Sequence, residues 1–252
     1  MSAFTAAMRN QTRIVMTRPM NLASGLVTPV LYMTLLTAPR LESMTPEAAT
    51  SAFTGSLLAS LWAASLWSGA GILRRERWGG TLAPSFTGRP SPVAVLVGKT
   101  LGGVLYDTGL ILIAQTVFCL VVHLPLVVPD PVAFGVGIVA VIVCGVASSL
   151  MIGAVLMLSR YAFQLTTALG TPVMLLGGTL IPLSLLPRWV SWLGWFINLS
   201  WLQRFLVSTL SATTWAHLAV GVGISAVYAL IGARAVHIML DRARKEGTLD
   251  LV

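Results

Sequence analysis

Acidic residues are scarce in this chain of 252: eight Asp and Glu stand against sixteen Lys and Arg, and all charged residues together make up 10%. A soluble globule averages about a quarter charged residues, so a water-solvated single domain is excluded. Cysteine is nearly missing as well. Cys119 and Cys144 both fall inside apolar runs, which leaves no basis for a disulfide framework, a zinc site or a thiol nucleophile. The three histidines, His123, His217 and His237, are far apart and near the ends of apolar runs, a spacing that makes no metal cluster. Neither paired carboxylates nor a Ser-His-Asp order with supporting glycines is present, so hydrolysis has no machinery.

What is abundant is apolar surface. Hydrophobic residues make up 56% of the chain and the mean hydropathy is +0.86, which predicts an integral, all-α, polytopic membrane protein. The formal charge of +8 raises nucleic acid as a partner. However, the basic residues are strung between apolar runs, with no basic face interleaved with aromatics. Cytoplasmic loops that collect Lys and Arg, and anionic lipid that attracts them, explain the same charge better.

In chain order, residues 1–19 predict a helix lying in the membrane interface: Phe4, Ala7, Met8, Ile14 and Val15 share a stripe, with Arg9 and Arg13 elsewhere. A first span is expected from about Met20 to Ala38, read as uncleaved because it is too long for the apolar region of a usual signal peptide. Further spans are expected near Phe53–Leu73, Leu101–His123, Val132–Leu158, Phe163–Ile181 and Leu218–Leu240. Each is long enough, since about twenty residues at 1.5 Å apiece cross the ~30 Å hydrocarbon core. Six spans with both termini inside leave only Arg40, Arg188 and Arg204 outside, and the other thirteen of the sixteen basic residues on the cytoplasmic side. That is a strong positive-inside asymmetry.

Two stretches interrupt this pattern. Residues 74–97 form a charged, Gly- and Pro-broken insert holding Arg74, Arg75, Arg77 and Arg89, with Glu76 its only acid. Glu76, Gly80-Thr81-Leu82, Pro90 or Pro92, and Gly98-Lys99 resemble the first cytoplasmic loop of ABC transporter permeases of the second, exporter type. In that family the loop carries a short coupling helix seated in a cleft of a separate ATPase subunit. The resemblance therefore implies ATPase-coupling roles for Arg74, Arg75, Glu76, Arg77, Gly80, Thr81 and Arg89. The second stretch, residues 177–210, places two prolines and four tryptophans in what would otherwise be another span. Broken backbone at membrane depth must be shielded by protein or water, so a re-entrant or interface-lying hairpin is expected, anchored by Trp189, Trp192 and Phe196 at the headgroups. Pro182-Leu183-Ser184-Leu185-Leu186-Pro187-x-Trp189 again resembles these permeases, which carry this pattern before two short re-entrant helices. The chain departs after Asn198: the family usually continues Asn-Pro with a following Thr or Ser, whereas Leu199-Ser200 follows here.

The resemblance further implies a plasma-membrane permease that binds an ABC ATPase, with ATP and Mg on that partner and no cofactor of its own. It also implies pairing with a second permease chain, identical or sister, and export of a lipophilic small molecule such as an antibiotic, or of a lipid. A glycan or lipid-linked glycan is the alternative cargo. Gly98-Lys99-Thr100 is no phosphate-binding loop, because the required glycine falls on Val93. Asp107 stands out on physical grounds: a carboxylate at the bilayer centre costs about 2.5 to 3.5 kcal/mol. It either serves the transport pathway or the dimer contact, or pairs structurally with Lys99 or Arg77. Gly98 and Gly102 form a small-xxx-small pair that permits close helix approach. An ion-coupled secondary transporter is the competing class; it would favour internal repeats and paired intramembrane ionisable groups, and Asp107 is nearly alone. A membrane-embedded enzyme fails for want of clustered polar groups.

Overall fold

The computed structural model describes residues 3–66, 71–72, 75, 91–128, 130–157, 162–181, 186–209 and 214–246. Among them there are helices and no strands. The order is α1 (Ala3–Met16), α2 (Pro19–Thr37), a 3₁₀ turn (Ala38–Ser43), α3 (Pro46–Ala64), α4 (Pro92–Val122), α5 (Pro131–Met157), α6 (Ala162–Leu176), α7 (Arg188–Ser191), a 3₁₀ turn (Trp192–Phe196), α8 (Asn198–Ser208) and α9 (Trp215–Glu246).

Local chemistry sets several of these boundaries. Thr45 caps α3, its Oγ1 accepting from Ala48 N at 3.2 Å, with Pro46 at the first helical position and Glu47 in the first turn. Asp130 does the same for α5, Oδ1 accepting from Ala133 N at 2.9 Å just ahead of Pro131. α4 ends at His123, which takes a left-handed conformation (φ 55°) while Leu124 N donates to Cys119 O. Its beginning differs from expectation. Pro92, placed by sequence within the Pro-broken insert, is the first residue of α4, so residues 92–97 of the insert are helical and continuous with the third span. The reason is that proline is disfavoured inside a helix but tolerated in its first turn, where its missing N–H has no intrahelical partner to lose.

Among the described residues, three helices are long and apolar enough to cross a membrane: Pro92–Val122, Pro131–Ala154 and Trp215–Ile238. A fourth span results if Ala3–Met16 and Asn21–Thr37, bent by 76° at the break between them, count as one. α3 carries Thr50, Ser51, Thr54, Ser56 and Ser60, and α6 has only 15 residues. Sequence alone therefore anticipates more qualifying spans than length and composition grant to the described helices. Leu120, Val121, Val132 and Leu230 are each at least 70% exposed, the pattern of side chains meeting lipid.

α3 is the central element. Residues from Phe53 to Trp62 are all buried, so the helix is enclosed on every side, as in the interior of a large bundle. Leu57, Leu58 and Leu61 join Leu96, Val104 and Ile111 of α4, Val141 and Leu150 of α5, and Leu202 and Leu206 of α8 in one core. α1 lies along the first half of α4, and α9 lies along α5. α8 runs antiparallel to the first half of α9: Asn198 meets Ser225, Trp201 and Leu202 meet Gly221, and the Phe205 ring lies 5.5 Å from that of Trp215.

Candidate functional site

Asp107 is 5% exposed and sits midway along α4. It falls between two close approaches. A Cβ on Gly98 would come 2.6 Å from Phe4 O, and one on Gly102 would overlap Met8 O, so α1 packs directly on the backbone of α4. Further along, Gly25 of α2 meets Leu110. Asp107 thus occupies the stretch of α4 spanned by the bend between α1 and α2. The Gly98/Gly102 pair, read from sequence as a generic helix contact, has α1 as its partner. Thr12 Oγ1, 3.1 Å from Met8 O and 3.2 Å from Gly102 O, shares its proton across this contact.

Of the residues implicated by sequence in ATPase coupling, Arg75 lies in helical backbone and is half-buried. Arg74, Glu76, Arg77, Gly80, Thr81 and Arg89 lie outside the described residues, as does Pro182. Pro187 and Trp189 are exposed, Trp189 by 77%. Trp192 Nε1 donates to Trp189 O at 2.7 Å and its ring meets Phe196 edge-on at 5.9 Å, and all three side chains are exposed. The backbone leading into this region packs on α3, where a Cβ on Gly55 would overlap Thr179 O.

Asn198 is 1% exposed. As the first residue of α8 it donates through Nδ2 to Ser148 Oγ of α5 and to Ser225 Oγ of α9, both at 2.9 Å, and Ser225 Oγ donates on to Gly221 O. Where the chain lacks the proline that the family usually carries after this asparagine, a side-chain amide ties three helices together. Nearer α2, a second polar chain went unread in the sequence. Gln115, fully buried in α4, donates through Nε2 to Ser56 Oγ at 2.8 Å, and Ser56 donates to Pro29 O at 3.1 Å. Both chains join residues distant in sequence and mostly one per helix, so only the fold brings them together. Each amide still holds a buried oxygen without a partner, Gln115 Oε1 and Asn198 Oδ1, so neither network is complete within the protein.

The assembly is therefore a bundle of membrane-capable helices around a Ser/Thr-bearing central helix, with a buried carboxylate in α4 and a broken segment packed against α9. A family model described as ABC-2 type transporter matches residues 2–211. The chain belongs to the ABC-2 type transporter family. No curated protein matches the chain. As a member of this family it is a transmembrane permease component of an ABC transporter, one that associates with an ABC ATPase subunit. The match runs from α1 past the end of α8, so it takes in both the charged insert and the Pro182 to Trp189 stretch that carried the resemblance.

Proposed function

We propose that this permease exports a lipophilic small molecule, such as an antibiotic, or a lipid, from the cytoplasm. It does so as one of two permease chains driven by ATP and Mg held on the partner ATPase. The observation that carries this reading is the family match across residues 2–211, because it includes both segments whose residues resemble exporter permeases. In this reading the chain sits in the plasma membrane and crosses it six times with both termini cytoplasmic. Residues 1–19 lie in the interface, 74–97 with the start of α4 engage the ATPase, and 177–210 form a re-entrant region. The position of Asn198 beside Ser225, well inside the apolar length of α9, supports a re-entrant α8. Reporter fusions after Ser43 and after Thr248 should report opposite sides of the membrane, and an external signal from the second would overturn the topology.

A second reading, ion-coupled transport, draws on the buried Asp107 and separates from the first in inverted membrane vesicles. Uptake of a lipophilic fluorescent dye should require ATP and persist with a protonophore; uptake that needs no ATP and collapses with the protonophore would reverse the choice. In the same vesicles Asp107→Asn should leave the membrane level unchanged or higher, since a charge costly in lipid is removed, while ATP-driven uptake falls. Wild-type uptake by this variant would confine Asp107 to a structural role.

A further inference from the structure

Where α3, α5 and α8 meet there is a small internal cavity whose wall includes Leu58, Leu61, Ser65, Cys144, Ser148 and Asn198. Its free space is about that of a single water molecule. Most of the wall is apolar, yet two of its polar atoms, Ser65 Oγ and Asn198 Oδ1, are buried without any hydrogen-bond partner, and both residues are only 1% exposed. Ser148 Oγ accepts one bond from Asn198 Nδ2 and keeps a proton of its own to give.

We propose that this cavity is a binding site for one water molecule, which joins the start of α8 to the central helix α3. The fit is chemical as well as steric. Water donates one proton to Asn198 Oδ1 and accepts from the hydroxyls of Ser65 and Ser148, giving it the two to four polar partners that a buried water takes. A metal cation fits less well: hard cations take about six or more oxygen ligands, usually with carboxylates among them, and this wall supplies three neutral side-chain oxygens. Asn198 already binds α5 and α9 directly through Nδ2. Its remaining oxygen, bridged through water to Ser65, closes the third side of the joint. The direct side-chain link from α8 to α3, Gln203 Nε2 to Ser51 O, is long at 3.4 Å. A water-filled joint leaves α8 tied to three neighbours by bonds that can be exchanged one at a time, which a direct apolar contact would not allow.

The test uses the full chain in detergent or nanodiscs. A structure at a resolution that shows ordered water should contain a density peak about 2.7–3.2 Å from both Ser65 Oγ and Asn198 Oδ1. An empty cavity, a direct Ser65–Asn198 bond, or a peak at the shorter distances of a metal would overturn the proposal. Thermal melts give an independent readout. A Cβ added at Gly145 would lie 3.6 Å from Ser65 Oγ and 3.3 Å from Leu61 Cδ2, so Gly145→Ala pushes a methyl towards the cavity. If water is held there, Gly145→Ala lowers the melting temperature by displacing it, and the loss shrinks once Ser65→Ala has removed one stranded hydroxyl. If the cavity is dry, Gly145→Ala acts only through its contact with Leu61, 3.3 Å from the new Cβ, the change in melting temperature is the same in both backgrounds, and the site is not one for water.

Discussion

Gly102→Leu is expected to unseat α1 and destabilise the protein by about 1 to 3 kcal/mol, the usual penalty for forcing extra volume into a packed contact. The overlap is with backbone: a Cβ at residue 102 would collide with the carbonyl oxygen of Met8, and Met8 cannot move without dragging the whole of α1. Thr12, which shares its proton between Met8 O and Gly102 O, would lose that geometry at the same time. The neighbouring Gly103 provides the control, because a Cβ there meets nothing within 4 Å; Gly103→Ala should leave stability unchanged or raise it by up to about 1 kcal/mol, the helix-propensity gain of alanine over glycine. Protease accessibility of residues 3–16 in detergent, followed with thermal melting, reads both variants. Equal behaviour of the two would mean that α1 is not held by the glycine pair.

The second large effect is expected at Glu76. It is the only acid in a basic insert and matches the glutamate of the exporter-permease loop it resembles. If it meets a positive group in the cleft of the ATPase, removing it strands a desolvated partner, which costs about 2 to 5 kcal/mol, a tenfold loss or more in coupled activity at about 1.4 kcal/mol per decade. Glu76→Ala should therefore leave membrane level and topology intact while cutting substrate-stimulated ATP hydrolysis by the partner. Arg89→Ala should have a smaller effect, since several arginines share the work of holding the insert on the cytoplasmic side. Full coupled activity in Glu76→Ala would reduce the insert to a topology signal.

The helical class was legible because scarce charge and long apolar runs admit few other solutions. The Gly98/Gly102 pair was visible too, and only its partner was missing. α3 was harder to read. A helix enclosed by others can carry Thr and Ser on every face, since its hydroxyls bond within the bundle: Thr50 to Pro46 O and Val127 O, and Ser56 to Pro29 O. Its apolar signal is therefore weakest where its burial is greatest, and its expected start at Phe53 fell well inside the observed Pro46–Ala64. Asn198 was singled out because the chain departs from the motif directly after it, at Leu199. That it bonds to Ser148 and Ser225, separated from it by 50 and 27 positions, follows from helix packing that no local pattern encodes. Gln115 gave no signal at all, being one amide in a long apolar run.

The most direct test of the account is purification of the tagged chain after co-expression with an ABC ATPase encoded beside it. The predicted result is a complex in which two permease chains hold the ATPase and ATP is hydrolysed, whereas the permease purified alone hydrolyses none. A detergent-stable single chain that binds no ATPase and moves substrate on a proton gradient would contradict it.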